Sequence, residues 1–380
     1  MLYILKYIGD TNMEYFELDT PSLLIDEKVL MDNIESMQDY AKNNRVALRP
    51  HTKTHKMPYI AKLQVDAGSC GIAVAKTGEA EVMAKNGIDD IFIANEIVGQ
   101  KKLERISKLS QKISISFGVD SIFQVLEAEK IFSLDNNFAN ILVEIEVGEN
   151  RSGIIEEVDF LKLLDTIKNC SHIKFKGIFS HDGNNYSARD IEECLDISLG
   201  AQQRTLKFAK LAKENGMKCE IVSYGSTPPF INNAPILNGI NEIRPGTYVL
   251  MDASQSNSIG TLDKCAATIL ATVISKPNFE RVILDVGAKG LTMQERREGI
   301  CATEGKGTLY EFPDIHINKV FDEHAIINNP VFRESVKIGD KIRIIPVHIC
   351  PVCNLYDEAW LISDDKVIKK IPVSCRGKLQ

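Results

Sequence analysis

The chain has no run of basic residues interleaved with aromatics, the surface that a phosphate backbone requires. Its 45 Lys and Arg against 52 Asp and Glu leave a net charge of −7, so nucleic acid is not an expected partner. Long apolar runs are missing too. The opening MLYILKYIGDTN is briefly apolar, but Lys6 sits inside it and Asp10 ends it, well short of the roughly 20 residues that span a bilayer. Neither a signal peptide nor a transmembrane helix nor a membrane partner is expected. Cysteine is sparse for a secreted scaffold: nine, an odd number, are scattered over 380 residues. Reduced thiols in a cytoplasm are the simplest account. No internal repeat, low-complexity segment or long linker interrupts the chain.

What is present is the composition of an ordinary folded protein, with 44% hydrophobic and 26% charged residues, 24 Gly and 13 Pro. The length suggests two or three domains, although one barrel can absorb about 250 residues. After a helical stretch (KVLMDNIESMQDYAKNN) come eight strand-like runs: RVALRP, CGIAVA, DDIFIANE, ISISFGVD, NILVEIEVG, KFKGIFSH, KCEIVSYG and NEIRPGTYV. Most are separated by amphipathic stretches such as TGEAEVMAKNG. The runs are continuously apolar, as in parallel strands covered on both faces, and eight βα units make a closed TIM-type (βα)8 barrel. A doubly wound open sheet shares this rhythm. Past about residue 255 the texture turns strand-rich (CAATILATVIS, RVILDVG, DKIRIIPVHIC, AWLIS, KVIKKIPVS), which predicts a second, mostly β domain. The N-terminal YILKYI and MEYFELDTPSLLI also read as strands. The expected division is therefore a barrel over 21–252 and a β domain from 1–20 plus 253–380.

Barrel chemistry gathers at the C-terminal ends of the strands. The first is followed by His51, Lys53, His55 and Lys56, the fifth by Asn150 and Arg151, and the sixth by His181 and Tyr186. The seventh runs through Tyr224 into the turn Gly225-Ser226-Thr227, and the eighth continues to Gly246. Small and hydroxyl residues after strands seven and eight are where barrels commonly hold a phosphate. A phosphate cradle facing one lysine suggests pyridoxal 5′-phosphate (PLP), whose aldehyde needs an amine. Taken singly, each of these features is also ordinary loop chemistry. In PVHICPVCNL, His348 and Cys350 are two apart in a strand-like run, so both side chains leave one face, where imidazole and thiolate favour zinc. Two ligands suit a catalytic metal with open positions; a buried histidine and apolar thiols fit the same spacing. Cys353 completes a C-x-x-C, but no second one accompanies it.

RPHTKTHK, with TPSLLIDEKVLMDNI before it and NRSG, SHDGNNY, EIRPGTYVLMDAS, FDEHAII and H-I-C after it, resembles the D-threonine aldolase and D-serine dehydratase family. The resemblance runs over nearly the whole chain and implies an alanine racemase-like fold with the active site completed across a homodimer. It implies Lys53 as the lysine that holds PLP, with Lys56 second, and Arg151 near the ring hydroxyl. The phosphate falls to the turn after Tyr224, Gly225 to Thr227, with Gly246, while Tyr186 lies near the ring. A divalent metal, with zinc first among Zn, Mn and Co, falls to His348 and Cys350. A cysteine at that place marks the dehydratase-like members and an aspartate the aldolase-like ones. The expected activity is therefore β-elimination from a D-3-hydroxy amino acid, D-serine in the simplest case, giving a 2-oxo acid and ammonia. Retro-aldol cleavage of the D-threonine aldolase type is the alternative, an amino-acid racemase the third, and a PLP-carrying homeostasis protein the reading from another class.

Overall fold

The computed structural model describes residues 13–380, so YILKYI lies outside the described residues. The chain divides into two compact units. One comprises Glu35–Lys53, Pro58–Gly246 and Gly377–Gln380, and the other the described residues up to Ile34, Thr54–Met57 and Thr247–Arg376. Among the described residues no helix is long and apolar enough to cross a membrane.

Strand β1 (Ser22–Asp26) belongs to the second unit. The first unit holds eight parallel strands: β2 (Ala47–Leu48), β3 (Ile72–Val74), β4 (Asp90–Glu96), β5 (Ser114–Val119), β6 (Ala139–Ile145), β7 (Ile173–Ser180), β8 (Ile221–Tyr224) and β9 (Glu242–Ile243). Each coincides with one of the eight apolar runs. Their order is β2-β9-β8-β7-β6-β5-β4-β3. Closure comes from the bridge of His51 to Ala73, where Ala73 N–H donates to Pro50 O at 2.8 Å and Thr52 N–H to Ala73 O at 2.8 Å. The sheet is therefore a barrel and not an open doubly wound sheet. Its interior is filled by Ala73, Phe92, Leu142 and Phe179, with the two rings edge to face at 5.0 Å.

A β-bulge sets the register between β6 and β7. Ile141 pairs with Phe175 but Leu142 pairs with Gly177, which leaves Lys176 as the extra residue. Gly177 has φ +145°, and a Cβ there would stand 1.9 Å from Ile221 O in the next strand. Only glycine fits. Gly177→Ala is therefore expected to cost about 3 kcal/mol or more, read as a lowered urea midpoint at unchanged slope. A wild-type midpoint would mean that the strand re-registers at no cost.

The second unit is built on a nine-stranded sheet. Its further strands are β10 (Ala267–Ser275), β11 (Arg281–Leu284), β12 (Gly307–Leu309), β13 (Lys319–Val320), β14 (Ala325–Asn328), β15 (Lys341–Pro346), β16 (Glu358–Ser363) and β17 (Lys366–Pro372). The path is β13-β14-β11-β10-β1-β16-β17, with β15 joining β10 to β12. Strand β1 lies antiparallel to β10 and parallel to β16.

Two local expectations are corrected. Of MEYFELDTPSLLI only the SLLI end is strand, because Tyr15–Glu17 is a 3₁₀ turn closed by Glu14 N–H donating to the Glu17 carboxylate at 2.8 Å. Nor does H-I-C lie on a strand. Strand β15 ends at Pro346, His348 caps the short helix Ile349–Cys353, and Cys350 stands in its first turn. Pro351 is tolerated in that turn because the amide it lacks would have no helical partner. The two side chains therefore leave a helix start and not one face of a strand.

Candidate active site

The barrel's strand ends bring the first unit's candidates together. The turn after β2 carries His51 and Lys53, with Lys53 N–H directed at His51 Nδ1 at 3.4 Å. His181, which follows β7, places Nδ1 3.0 Å from Gly225 O. Burial holds both imidazoles well below the ordinary histidine range, and the charge of Lys53 lowers them further. They are neutral at physiological pH, although each ring keeps some contact with solvent. Arg244, after β9, is buried and ties three strand ends together. Its guanidinium donates to Ser223 Oγ on β8 at 2.5 Å and to Ser180 O on β7 at 2.7 Å, and burial lowers its pKa to about 10.

Arg151 is held by acids. It pairs with Glu149 at 3.2 Å and Glu144 at 3.5 Å, and Ser152 Oγ donates to Glu144 at 2.8 Å. Behind Glu144 stands Glu96, whose carboxyl is pushed up to about 9, by burial first and by the facing Glu144 second. Glu96 is thus a neutral acid, and one carboxylate of the two remains to face Arg151. Burial also holds the Glu149 carboxyl above the ordinary carboxylate range, an effect that the charges of Arg151 and Lys53 only partly oppose.

The turn expected to hold a phosphate is compact. Gly225 has φ +125°, and a Cβ there would strike the Phe230 ring at 2.4 Å. Gly246 N–H donates to Thr227 Oγ1 at 3.2 Å, which joins the strand-eight end to this turn. Ser226 Oγ is buried without a well-formed hydrogen bond, although it faces the Asp182 carboxyl. A buried hydroxyl left unsatisfied is costly, and an anion seated on the turn would satisfy it. The turn therefore fits a phosphate. Tyr224 differs from its neighbours: its hydroxyl bridges Asp182 and Ser198, 2.7 Å from the latter, inside a buried network that Asn185 completes. Its side chain is committed there. Tyr186 is part-buried on the 3₁₀ turn Gly183–Ser187 after β7.

In the second unit, His348 Nδ1 lies 3.0 Å from Gln294 Oε1, which fixes the ring's orientation. Cys350 Sγ lies 3.4 Å from Thr54 Oγ1 and 3.6 Å from Thr247 Oγ1. Asp252 is buried, which raises its carboxyl above the ordinary range, and it accepts the Ile349 N–H at 3.1 Å. Among the described residues no group of three or more His, Cys, Asp or Glu is arranged to hold a metal. What is present is an imidazole and a thiol on one short segment, a donor pair that fits a borderline-soft cation with open positions. Cys353 is buried and its thiol is pushed well above the ordinary value, so it is a packed neutral thiol. Lys56 is buried in this unit, its carbonyl accepting Cys375 N–H at 3.0 Å.

Sequence reasoning missed Glu96, Glu144 and Glu149, although all stand at or near the ends of β4 and β6, where strand-end inspection finds them. It also missed Thr54, Thr247 and Gln294, for which the sequence carries no signal.

A closed eight-stranded barrel with a lysine after its first strand and a glycine-hydroxyl turn after its seventh, in a chain that also builds a mostly β unit, defines the alanine racemase-like class. Residues 25–254 match the family described as alanine racemase, N-terminal domain, and residues 266–362 a putative serine dehydratase domain. The chain belongs to the alanine racemase N-terminal domain family. It is 30% identical to the D-threonine aldolase of an Arthrobacter species, over 95% of this chain and 93% of that one. A 3-hydroxy-D-aspartate aldolase of Paracoccus denitrificans is 29% identical over 96% and 94% of the two chains, and the D-serine dehydratase of Dictyostelium discoideum 26% over 95% and 98%. The crystal structure of D-threonine aldolase from Filomicrobium marinum superposes with a TM-score of 0.88 at 28% identity, covering 97% of this chain and 98% of that one.

Proposed function

We propose that this chain is a PLP- and divalent metal-dependent lyase acting on D-3-hydroxy amino acids, by β-elimination of the D-serine dehydratase type to a 2-oxo acid and ammonia. The observation that carries the reading is Lys53 at the barrel mouth among neutral His51 and His181 and the Arg151–Glu149 pair. Relatives named for lyase reactions of D-amino acids support it.

When bound, PLP supplies an electron sink for the Cα–H bond, and a divalent metal, zinc in this reading, supplies Lewis acidity at the β-hydroxyl. The rest is done by the chain's own groups. Lys53 Nζ holds the cofactor, is freed when an amino acid takes its place, and is then the amine positioned to accept the Cα proton. Neutral His51 and His181 beside it add no positive charge that would oppose protonation of Lys53. Arg151, steadied by Glu144, presents a fixed cation to the ring oxygen. Gly225, Ser226, Thr227 and Gly246 receive the phosphate through N–H and O–H donors, and Tyr186 borders the ring. Tyr224 contributes through its backbone, since its hydroxyl is taken. His348 and Cys350 hold the metal. In this reading the enzyme works as a cytoplasmic homodimer.

Retro-aldol cleavage of the D-threonine aldolase type stands as the second reading, favoured by the 30% identity to such an enzyme. Reconstituted protein incubated with D-serine and D-threonine, with and without zinc, separates the two. Pyruvate and 2-oxobutanoate support elimination, glycine plus acetaldehyde the aldolase, and an L-isomer a racemase.

The phosphate assignment has its own test. Ser226→Asp places a carboxylate where a group of charge near −2 is to sit, and PLP affinity, read by absorbance titration, is expected to fall about 100-fold or more. Wild-type affinity would remove the turn from the site.

A further inference from the structure

The relatives divide by the charge of the substrate side chain that their names declare: D-threonine and D-serine are neutral there, whereas 3-hydroxyaspartate carries a second carboxylate. The barrel mouth bears on this choice. Glu149 lies in the loop after β6, its side chain only 25% exposed. Its carboxylate occupies the space that a side chain at 183 would fill, since a Cβ on Gly183 would stand 2.0 Å from Oε1 and 2.4 Å from Cδ. It faces His181 Nε2 at 3.9 Å, and it and Lys53 feel each other's charge. Gly183 thus lets the carboxylate settle against His181 and Arg151 in the loops after β6 and β7.

No cation of this cluster is left over to receive a second substrate carboxylate. Arg151 is shared between Glu149 and Glu144, Arg244 is buried and bonded to Ser223 and Ser180, and both histidines are neutral. Lys53 is the amine that any bound amino acid displaces. We infer that Glu149 is a specificity-determining residue, which rejects D-amino acids with an anionic side chain and leaves the site to neutral 3-hydroxy amino acids. Rejection needs only a fixed like charge that is incompletely offset, and the one cation paired with Glu149, Arg151, is shared with Glu144. The inference rests on the lyase reading only in taking a D-amino acid as ligand.

Binding can be measured apart from lyase turnover with D-alanine and D-aspartate, which lack a β-hydroxyl to eliminate or cleave. Each is titrated against PLP-loaded protein and followed by the change in cofactor absorbance. Wild type is expected to bind D-alanine about 30-fold or more tighter than D-aspartate, and Glu149→Gln to bring the ratio within about 3-fold. Gly183→Ala, which keeps the charge but drives the carboxylate from its place, should move the ratio in the same direction. A melting curve confirms that each variant is folded. If Glu149 only steadied Arg151, Glu149→Gln would weaken both ligands alike, and that unchanged ratio overturns the inference, as would a wild type that binds D-aspartate as well as D-alanine. The lyase reading fails separately: a preference for D-alanine that Glu149→Gln abolishes, with no product from D-serine or D-threonine, leaves charge selection standing and removes the reaction.

Discussion

Lys53→Ala is expected to end the covalent hold on PLP and to lower turnover about 1,000-fold or more, since in the proposed reading one amine both holds the cofactor and accepts the Cα proton. Of its neighbours in the turn, His51 is a neutral imidazole, and Lys56 is buried with its carbonyl accepting the Cys375 N–H. Borohydride reduction of the loaded wild type followed by peptide mass mapping should find a pyridoxyl group on Lys53. The same label on Lys56, or its persistence in the variant, would overturn the assignment.

If His348 and Cys350 hold a metal as proposed, removing it should separate two steps that Lys53→Ala removes together. With a chelator, or in Cys350→Ala, release of 2-oxo acid is expected to fall about 100- to 1,000-fold, because hydroxide is a poor leaving group without Lewis-acid help. PLP should stay bound, and exchange of the substrate Cα–H with solvent deuterium should continue at least in part, because the proposed mechanism assigns those to Lys53 and the barrel turn. Moderate zinc should restore the chelated wild type but not the variant, which has lost its thiol. Full product release by protein shown to be metal-free would return His348 and Cys350 to a structural role beside Gln294 and Thr54.

The parts of this fold that were legible in the sequence are those governed by continuous burial. All three residues of Ile72–Val74 are buried, and six of the seven in Ala139–Ile145, so each barrel strand reads as an unbroken apolar run. Spacing alone was a weaker guide. H-I-C has the two-residue offset of a strand, yet Pro346 stops the strand and the segment turns into a helix. The acidic side of the mouth was hidden for another reason. Glu96 and Glu144 are acids in sequence and would ordinarily be solvated, and only folding sets them face to face and leaves the first of them neutral. The hydroxyls around Cys350 come from 296 and 103 residues away, separations over which local pattern carries no information.

The closure at His51 and Ala73 bears on how the chain is made. From β3 to β8 each barrel strand pairs with the next in sequence, so a nascent sheet can grow as residues leave the ribosome. Strand β2 is the exception. Its full ladder is to β9, Ala47 with Glu242 and Leu48 with Ile243, so the first barrel strand made must wait for the last. Strand β1 waits longer, since Leu24 pairs with Trp360. Contacts of such separation are slow to form, and until they do, the edges of β2 and β3 are open to other chains. Lys53 sits just past that seam, so a ribosome-bound fragment ending before residue 242 would carry the lysine without the strand that pairs with β2, and if Lys53 holds the cofactor as proposed, competence to bind it should arrive late and all at once.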